Sequence, residues 1–115
     1  MAEKLTTIFV DTFGSSPRIK VLDFFLTFTE YDYSKNDIAR ETGVSRITLE
    51  PIWEELEKEG IIKKTRTVGR ARMFRLNKEN PTAKILRELD FKLSSAKADE
   101  EIVRMKVRAK AETKH

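Results

Sequence analysis

Residues 43–60 read GVSRITLEPIWEELEKEG and predict one helix with a capping residue at each end. Ser45 suits the N-cap, because its hydroxyl can accept a hydrogen bond from an N–H group that has no partner within the helix. Gly60 suits the C-terminal end, where left-handed backbone is common. The apolar side chains that cluster on one side of this helix, and that we therefore expect to be buried, are Leu49, Ile52, Trp53 and Leu56.

The preceding residues predict a second, shorter helix. Ser34 is a suitable N-cap, and Asp37 follows three residues later, which is a variant of the capping box. Gly43 ends the pattern. Only about three residues then separate this helix from the one that Ser45 caps, and two helices joined by so short a turn form a helix-turn-helix unit.

The net charge of +4 hides an asymmetry along the chain. Residues 61–78 contain seven basic residues and no acidic residue. The run IIKKTRTVGRARMFRL within this segment predicts two strands joined by a turn at the glycine, with Ile62, Met73 and Leu76 facing inward. Localised positive charge of this kind indicates a polyanionic partner.

The N-terminal part contains two further predicted elements. Residues 1–14 form an N-terminal segment, in which Leu5, Ile8, Phe9 and Phe13 have helical spacing, while the β-branched run TTIFV favours a strand; we predict a helix. A clearer helix follows, with Ser16 as N-cap and Pro17 as its first residue. Its predicted inward side chains are Leu22, Phe25 and Leu26.

Residues 79–115 predict a long C-terminal helix with a basic tail. Asn80 suits its cap, and Pro81 its first position. Glu100 interrupts its apolar seam, and the tail beyond residue 102 is predicted to be either helical or frayed. We expect this helix to form a homodimer through Leu86, Leu89, Leu93 and Ala96, with Val103 and Val107 continuing the spacing.

This order of elements resembles the small prokaryotic, archaeal-type winged helix-turn-helix transcriptional regulators, and is similar to the ArsR- and MarR-like groups. The stretches that carry the resemblance are DIARETGVSRITL at 37–49 and LEKEGIIKKTRTVGRARMFRL at 56–76. Ala39 lies four residues before Gly43, and Leu49 six after it, which is the spacing typical of such units. The resemblance covers roughly residues 15–78. It implies a mainly α fold with a small β-hairpin, a second helix that enters the major groove, and a wing on the backbone or minor groove.

The roles that the resemblance implies for the second helix and the wing indicate which residues are candidate DNA contacts. A recognition helix contacts bases mainly through its N-terminal part. The candidates there are Ser45, Arg46, Ile47, Thr48 and Glu50, of which Arg46 suits guanine, Ile47 a thymine methyl and Glu50 a cytosine amino group. The candidates on the wing are Lys63, Lys64, Arg66, Arg70 and Arg72, and strand alternation predicts that Lys64, Arg66, Arg70 and Arg72 point largely outward.

Two features depart from the resemblance. Residues 43–60 contain five glutamates, which repel phosphate, and Pro51 lies inside the helix. Proline lacks the N–H that would bond the Ile47 carbonyl. The helix is therefore expected to kink at Pro51, to begin only there after a separate turn at 45–50, or to tolerate a bend at the solvated surface.

Composition limits the other functions. The absence of Cys excludes disulfides and thiolate metal sites, and the only His is His115, so we expect no metal, no cofactor and no enzyme. No run of about 18 apolar residues and no signal peptide is visible, which predicts a cytoplasmic protein.

The leading hypothesis is a sequence-specific regulator that binds double-stranded DNA, with any small-molecule effector unidentified. The alternatives are a winged-helix module for protein–protein interaction and a non-specific architectural DNA-binding protein.

Overall fold

A computed structural model describes residues 7–113 of the chain. Five helices and one antiparallel hairpin follow each other within this range in the order predicted for a winged helix-turn-helix. The elements are α1 (Ile8–Phe13), α2 (Pro17–Thr27), α3 (Lys35–Thr42), α4 (Arg46–Lys58), β1 (Ile62–Val68), β2 (Ala71–Leu76) and α5 (Pro81–Thr113). The predicted fold class is confirmed. Leu5, which was assigned to the first helix, lies outside the described residues.

The helix-turn-helix unit is built by its capping residues. The Ser34 hydroxyl accepts from the Asp37 N–H, and the Asp37 carboxylate accepts from the Ser34 N–H, which completes the predicted capping box. Gly43 then reverses the chain with φ of 76°, a left-handed conformation that costs a glycine little. Ser45 caps α4 by accepting from the Thr48 N–H at 3.2 Å. Three local signals therefore fix the turn between α3 and α4.

The end of α4 also follows its prediction. Gly60 has φ of 75°, its N–H bonds the Glu57 carbonyl, and the Ile61 N–H bonds the Leu56 carbonyl. This pair of bonds is the Schellman motif, and the buried Leu56 and Ile61 are its apolar partners. The motif ends the helix and directs the chain into β1.

Helix α4 is continuous through Pro51. It runs from Arg46 to Lys58 with the proline in its interior, so the alternative in which the regular helix begins at Pro51 is wrong. The Pro51 side chain is exposed. Because proline has no N–H, the Ile47 carbonyl receives no bond from position 51. The segment that carries the candidate base contacts is thus the first turns of one helix.

The core lies between the helices and the inner face of the hairpin. Trp53 is fully buried on α4, as predicted, and its ring makes edge contacts with Phe25 at 5.7 Å and with Phe74 at 5.1 Å between centroids. Leu49 and Leu56 are equally inaccessible. The predicted inward side chains of α2, which are Leu22, Phe25 and Leu26, are all buried.

The hairpin faces the core with a different residue from the one predicted. Ile62 and Leu76 are buried, but the third buried side chain is Phe74, whereas Met73 is half-buried on the opposite face. The reason lies in β2, where Phe74 and Leu76 are two residues apart and therefore share a face. Tyr33 bonds the Phe74 backbone in both directions, at 2.6 and 2.8 Å, and so fixes this orientation.

The wing contains a β-bulge. Lys64 pairs with Phe74 and Arg66 pairs with Met73, so Thr65 is an additional residue in β1. Directly paired residues share a face of a ribbon, and the bulge therefore reverses the alternation of side chains along β1.

The long helix α5 begins as predicted and extends beyond the domain. The Asn80 side chain accepts from the Ala83 N–H, and Pro81 is the first helical residue. Ala83 is buried and Leu86 packs against the core, while α1 packs on both α5 and α2. At about 1.5 Å per residue the 33-residue helix is roughly 50 Å long. The tail is helical as far as Thr113.

Candidate nucleic-acid interface

The exposed side of α4 presents the candidate base contacts together. Ile47 is 87% exposed, the highest value among the exposed large apolar side chains of the described residues. Arg46 and Thr48 flank it and are also exposed, whereas Ser45 uses its hydroxyl for the cap and for a 3.0 Å bond to Thr48 Oγ1. The N-terminal turns of α4 thus offer an apolar tip beside a guanidinium and a hydroxyl group.

Arg46 and Glu50 belong to a small polar network that reaches α3. The Arg46 guanidinium donates to the Asn36 side chain, and at 2.9 Å to Glu50 Oε1. Lys35 Nζ donates to the other oxygen of Glu50, also at 2.9 Å. Hydrogen bonds from Arg46 first, and Lys35 second, hold the pKa of the Glu50 carboxyl below its usual range. Glu50 therefore remains ionised and orients two cations.

A basic cleft lies beside this network. It has a volume of about 210 Å³ and separates the first turns of α3 and α4 from β2. Four of its lining residues are cations, namely Lys35, Arg46, Arg70 and Arg72; the remainder are Ser34, Asn36, Ala71 and Phe74. The structure thus brings two of the predicted wing residues to the predicted helix residue Arg46.

Lys35 and Asn36 were missed by the sequence reasoning. They are the first two residues of α3, directly after its cap Ser34. A single lysine at the start of a helix is no signal by itself. The three-residue turn predicts only that the end of α3 is close to the start of α4, so the position of the start of α3 beside Arg46 and Glu50 is seen only in the structure.

The wing cations divide between the two faces of the hairpin. Lys64, Arg66, Arg70 and Arg72 are all exposed, as predicted, but the bulge at Thr65 prevents them from forming one row. Lys64 and Arg72 are on the side of Phe74, and the Arg72 guanidinium lies 5.3 Å from the centre of that ring. Arg66 and Lys63 are on the other side, where Lys63 is half-buried.

Two of the wing arginines make contacts within the chain. Arg66 donates twice to the Asp32 carboxylate in the loop before α3, while Arg72 lies 3.7 Å from a carboxylate oxygen of Glu57. Hydrogen bonds from Arg66 first, and Thr65 second, lower the pKa of Asp32. Arg70, at the tip of the hairpin, and Lys64 are the exposed wing cations best placed to meet an external anion.

The glutamates of α4 are mostly compensated within the domain. Glu50 bonds Arg46 and Lys35, Glu55 forms an ion pair with Arg18 of α2, and Glu57 faces Arg72. Their charges therefore oppose a nearby polyanion less than the sequence suggests.

Helix α5 exposes two apolar rows. Leu89 and Leu93 are half-buried and Ala96 is exposed, and the row continues through Val103 and Val107, which are 58% and 62% exposed. At 100° per residue a second row falls on the opposite side of the helix. This second row contains Phe91, Ala98, Ile102 and Met105, of which Phe91 is 72% exposed.

Within residues 7–113 no cluster of three or more His, Cys, Asp or Glu side chains is arranged to hold a metal ion. In the same part of the chain, no helix is both long and apolar enough to cross a membrane.

Comparison with known proteins shows the fold. No protein-family model and no curated protein matches the chain. Among solved structures, the transcriptional regulator PA3341 is 18% identical, with a TM-score of 0.54 over 91% of this chain and 85% of that one. MepR, a transcription regulator of the Staphylococcus aureus multidrug efflux pump MepA, is 15% identical, with a TM-score of 0.56 over 89% and 80%. Lactococcus lactis ZitR in complex with DNA is 14% identical, with a TM-score of 0.51 over 97% and 77%. The chain therefore has the winged-helix fold of these regulators.

Proposed function

We propose that the chain is a homodimeric transcriptional regulator of the MarR-like kind, which binds double-stranded DNA sequence-specifically. Helix α4 enters the major groove, and the wing formed by β1 and β2 follows the backbone or the minor groove. The observation that carries the proposal is the junction of the exposed start of α4 with the four-cation cleft. A base-reading surface and a phosphate-binding surface are adjacent there, which is what duplex recognition requires.

The base contacts come from the first turns of α4. Ile47 is the outermost side chain and suits the methyl group of thymine, while Arg46 suits the acceptor pair of guanine. Asn36 and Glu50 hold the Arg46 guanidinium in place before DNA arrives. Glu50 also remains the candidate acceptor for a cytosine amino group, and Ser45 and Thr48 complete the surface.

The phosphate contacts come from the basic cleft and from both faces of the wing. Lys35 is added here to the wing residues Lys63, Lys64, Arg66, Arg70 and Arg72, because it shares the cleft with Arg70 and Arg72. Each lysine or arginine that neutralises a phosphate releases counterions, so affinity falls with salt in proportion to the number of contacts. Internal pairing of Glu50, Glu55 and Glu57 supports this assignment over a protein-interaction module built on an acidic helix.

The dimer forms through α5. The two exposed apolar rows of α5 lie on opposite sides of the helix, so they cannot both pack on the domain that α5 belongs to. The rows are therefore exposed to water unless another chain covers them. Coverage by a second copy fits a regulator that binds two half-sites related by a twofold axis. ZitR, which has the same fold, was solved in complex with DNA, and this supports the DNA partner.

The proposed location and the proposed lack of catalytic activity follow from the role as a transcriptional regulator. A regulator of this kind acts on duplex DNA in the cytoplasm and carries out no reaction, and the regulators that share the fold support a function other than catalysis.

Charge removal at the wing tests the proposal. Lys64→Gln with Arg70→Gln removes two exposed cations that are not needed for the ion pairs at Asp32 and Glu57. We expect a weaker affinity for duplex DNA and a salt slope (log affinity against log salt) smaller by about 2. The matched control is Lys20→Gln with Lys84→Gln, which removes the same charge from exposed positions on α2 and α5. Equal slopes for both double variants would refute the wing assignment.

A further inference from the structure

A second cleft, the aromatic cleft, lies on the side of the wing away from the core. It has a volume of about 520 Å³ and is bounded by the end of α2, by α3, and by the hairpin face that carries Arg66 and Met73. Small-molecule sites usually measure about 300–1,000 Å³ and combine apolar walls with a few polar groups. The lining residues are Phe24, Phe28, Tyr31, Asp32, Tyr33, Asp37, Arg40, Glu41, Arg66 and Met73.

Its walls are mostly aromatic. The Phe24 ring contacts Phe28 at 4.8 Å, and it meets Tyr33 edge-on at 4.9 Å between centroids. Phe28 is 47% exposed, and Tyr31 is 69% exposed. Four aromatic rings thus border one cavity, and two of them present ring surface to a ligand.

The charge in the cleft is negative. Three carboxylates (those of Asp32, Asp37 and Glu41) face two guanidinium groups, those of Arg40 and Arg66. Burial first, and then electrostatic interactions with Tyr31 and with the carboxylates of Glu41, Asp37 and Asp32, raise the pKa of the Tyr33 phenol. Aromatic walls in a negative field favour a cation over a neutral or anionic ligand.

We propose that the aromatic cleft binds a small, flat organic cation. The ligand stacks on Phe28 and Tyr31, and its positive charge is directed to the carboxylate of Asp32. Stacking supplies apolar contact, and the ring faces add a cation–π attraction.

Ligand binding in this position would act on the wing. Asp32 is the acceptor for both Arg66 and Thr65 of β1, so a ligand cation competes with Arg66 for the same carboxylate. This consequence rests on the proposed function: if the wing contacts DNA, loosening its attachment lowers the affinity for DNA. The coupling is reciprocal, so DNA then lowers the affinity for the cation by the same factor.

Calorimetric titration of the full chain without DNA tests the binding. The probes are N-methylquinolinium and quinoline, which share their two rings and differ in charge at neutral pH. We expect N-methylquinolinium to bind roughly tenfold more tightly than quinoline, and Asp32→Asn to abolish that preference. Asp99→Asn, an exposed position on α5, should preserve it.

The aromatic contact has a closely matched control. Phe28→Ala and Phe13→Ala each remove a half-exposed ring that contacts the phenylalanine four residues earlier. Only Phe28→Ala should weaken N-methylquinolinium, by roughly tenfold. Equal affinity for the two probes, or equal losses in the two variants, would overturn the proposal. Because these titrations contain no DNA, their failure would leave the proposed function intact; cation binding that leaves DNA affinity unchanged would overturn only the coupling.

Discussion

Arg66 and Asp32 form an ion pair with two hydrogen bonds, from Nε to Oδ2 at 2.9 Å and from Nη2 to Oδ1 at 3.2 Å. The hydroxyl of the bulged residue Thr65 donates to the same Oδ2 at 2.6 Å. The pair attaches the wing to the loop that precedes α3. Arg66, predicted as a DNA contact, therefore already has a role within the fold, and it fixes the wing relative to α4.

The attachment should appear in the pH dependence of stability. Bonds from Arg66 and Thr65 lower the pKa of Asp32 in the folded state, so the ionised carboxylate stabilises the fold above its unfolded pKa of about 3.9. That stabilisation is lost as pH falls through the lower folded pKa. Asp32→Asn should lower the Tm by a few degrees at pH 7, and the difference from wild type should shrink as pH falls below the unfolded pKa and through the lower folded pKa. Thermal melts at neutral pH and across an acid pH series provide the measurement; a difference that does not shrink toward low pH would contradict the assignment.

Ile47 and Leu49 should respond in opposite ways to the same truncation. Ile47 is 87% exposed, so Ile47→Ala should change the free energy of unfolding by no more than about 0.5 kcal/mol. The same variant should weaken binding to a selected DNA site more than binding to random duplex. Leu49 is 0% exposed, and Leu49→Ala should cost about 2–5 kcal/mol of stability. Urea unfolding and DNA titration together test this contrast, and a destabilised Ile47→Ala would show that the side chain packs within the protein.

Pro51 should be a destabilising residue in its own helix. Proline in a helix interior is about 3 kcal/mol less favourable than alanine, although its rigidity in the unfolded chain offsets about 0.4–1 kcal/mol. Because α4 passes through Pro51 without ending, Pro51→Ala restores a donor for the Ile47 carbonyl. We expect the free energy of unfolding to rise by about 1–3 kcal/mol. Urea denaturation measures the change, and an unchanged or lower midpoint would mean that the local geometry depends on proline.

The two rows of α5 predict how the dimer dissociates. Val103→Glu and Ile102→Glu each place a charge in one of the two rows, so both variants should shift the chain toward monomer. Lys106→Glu introduces the same side chain between the rows and should leave the dimer intact. Light scattering at tens of micromolar distinguishes the species. If only one of the two row variants dissociated the dimer, the second row would need another partner.

The sequence predicted the parts of the fold that local interactions decide. Ser34, Ser45 and Asn80 were identified as caps because a cap needs only a few neighbouring residues. Gly43 and Gly60 were identified for the same reason, since left-handed backbone at a helix end favours glycine. The resemblance to winged helix-turn-helix regulators then predicted that the hairpin is a wing.

Most of the parts that failed depend on contacts distant in sequence. The exception is Phe74, which strand alternation alone places on the same face as Leu76, and which its pairing with Tyr33, some forty residues earlier, then holds in this orientation. The Thr65 hydroxyl at the bulge donates a hydrogen bond to Asp32, and no residue pattern within β1 predicts the bulge. Lys35 entered the candidate site only because the structure places it beside Glu50.

Selection of bound sequences from random duplex DNA, at a stated salt concentration, tests the central claim most directly. A homodimer that reads DNA through Arg46 and Ile47 should enrich two half-sites related by a twofold axis. Their centres should lie about one helical turn, or a multiple of it, apart. Recovery of unenriched sequences, despite measurable binding, would contradict sequence-specific recognition and leave a non-specific DNA-binding protein.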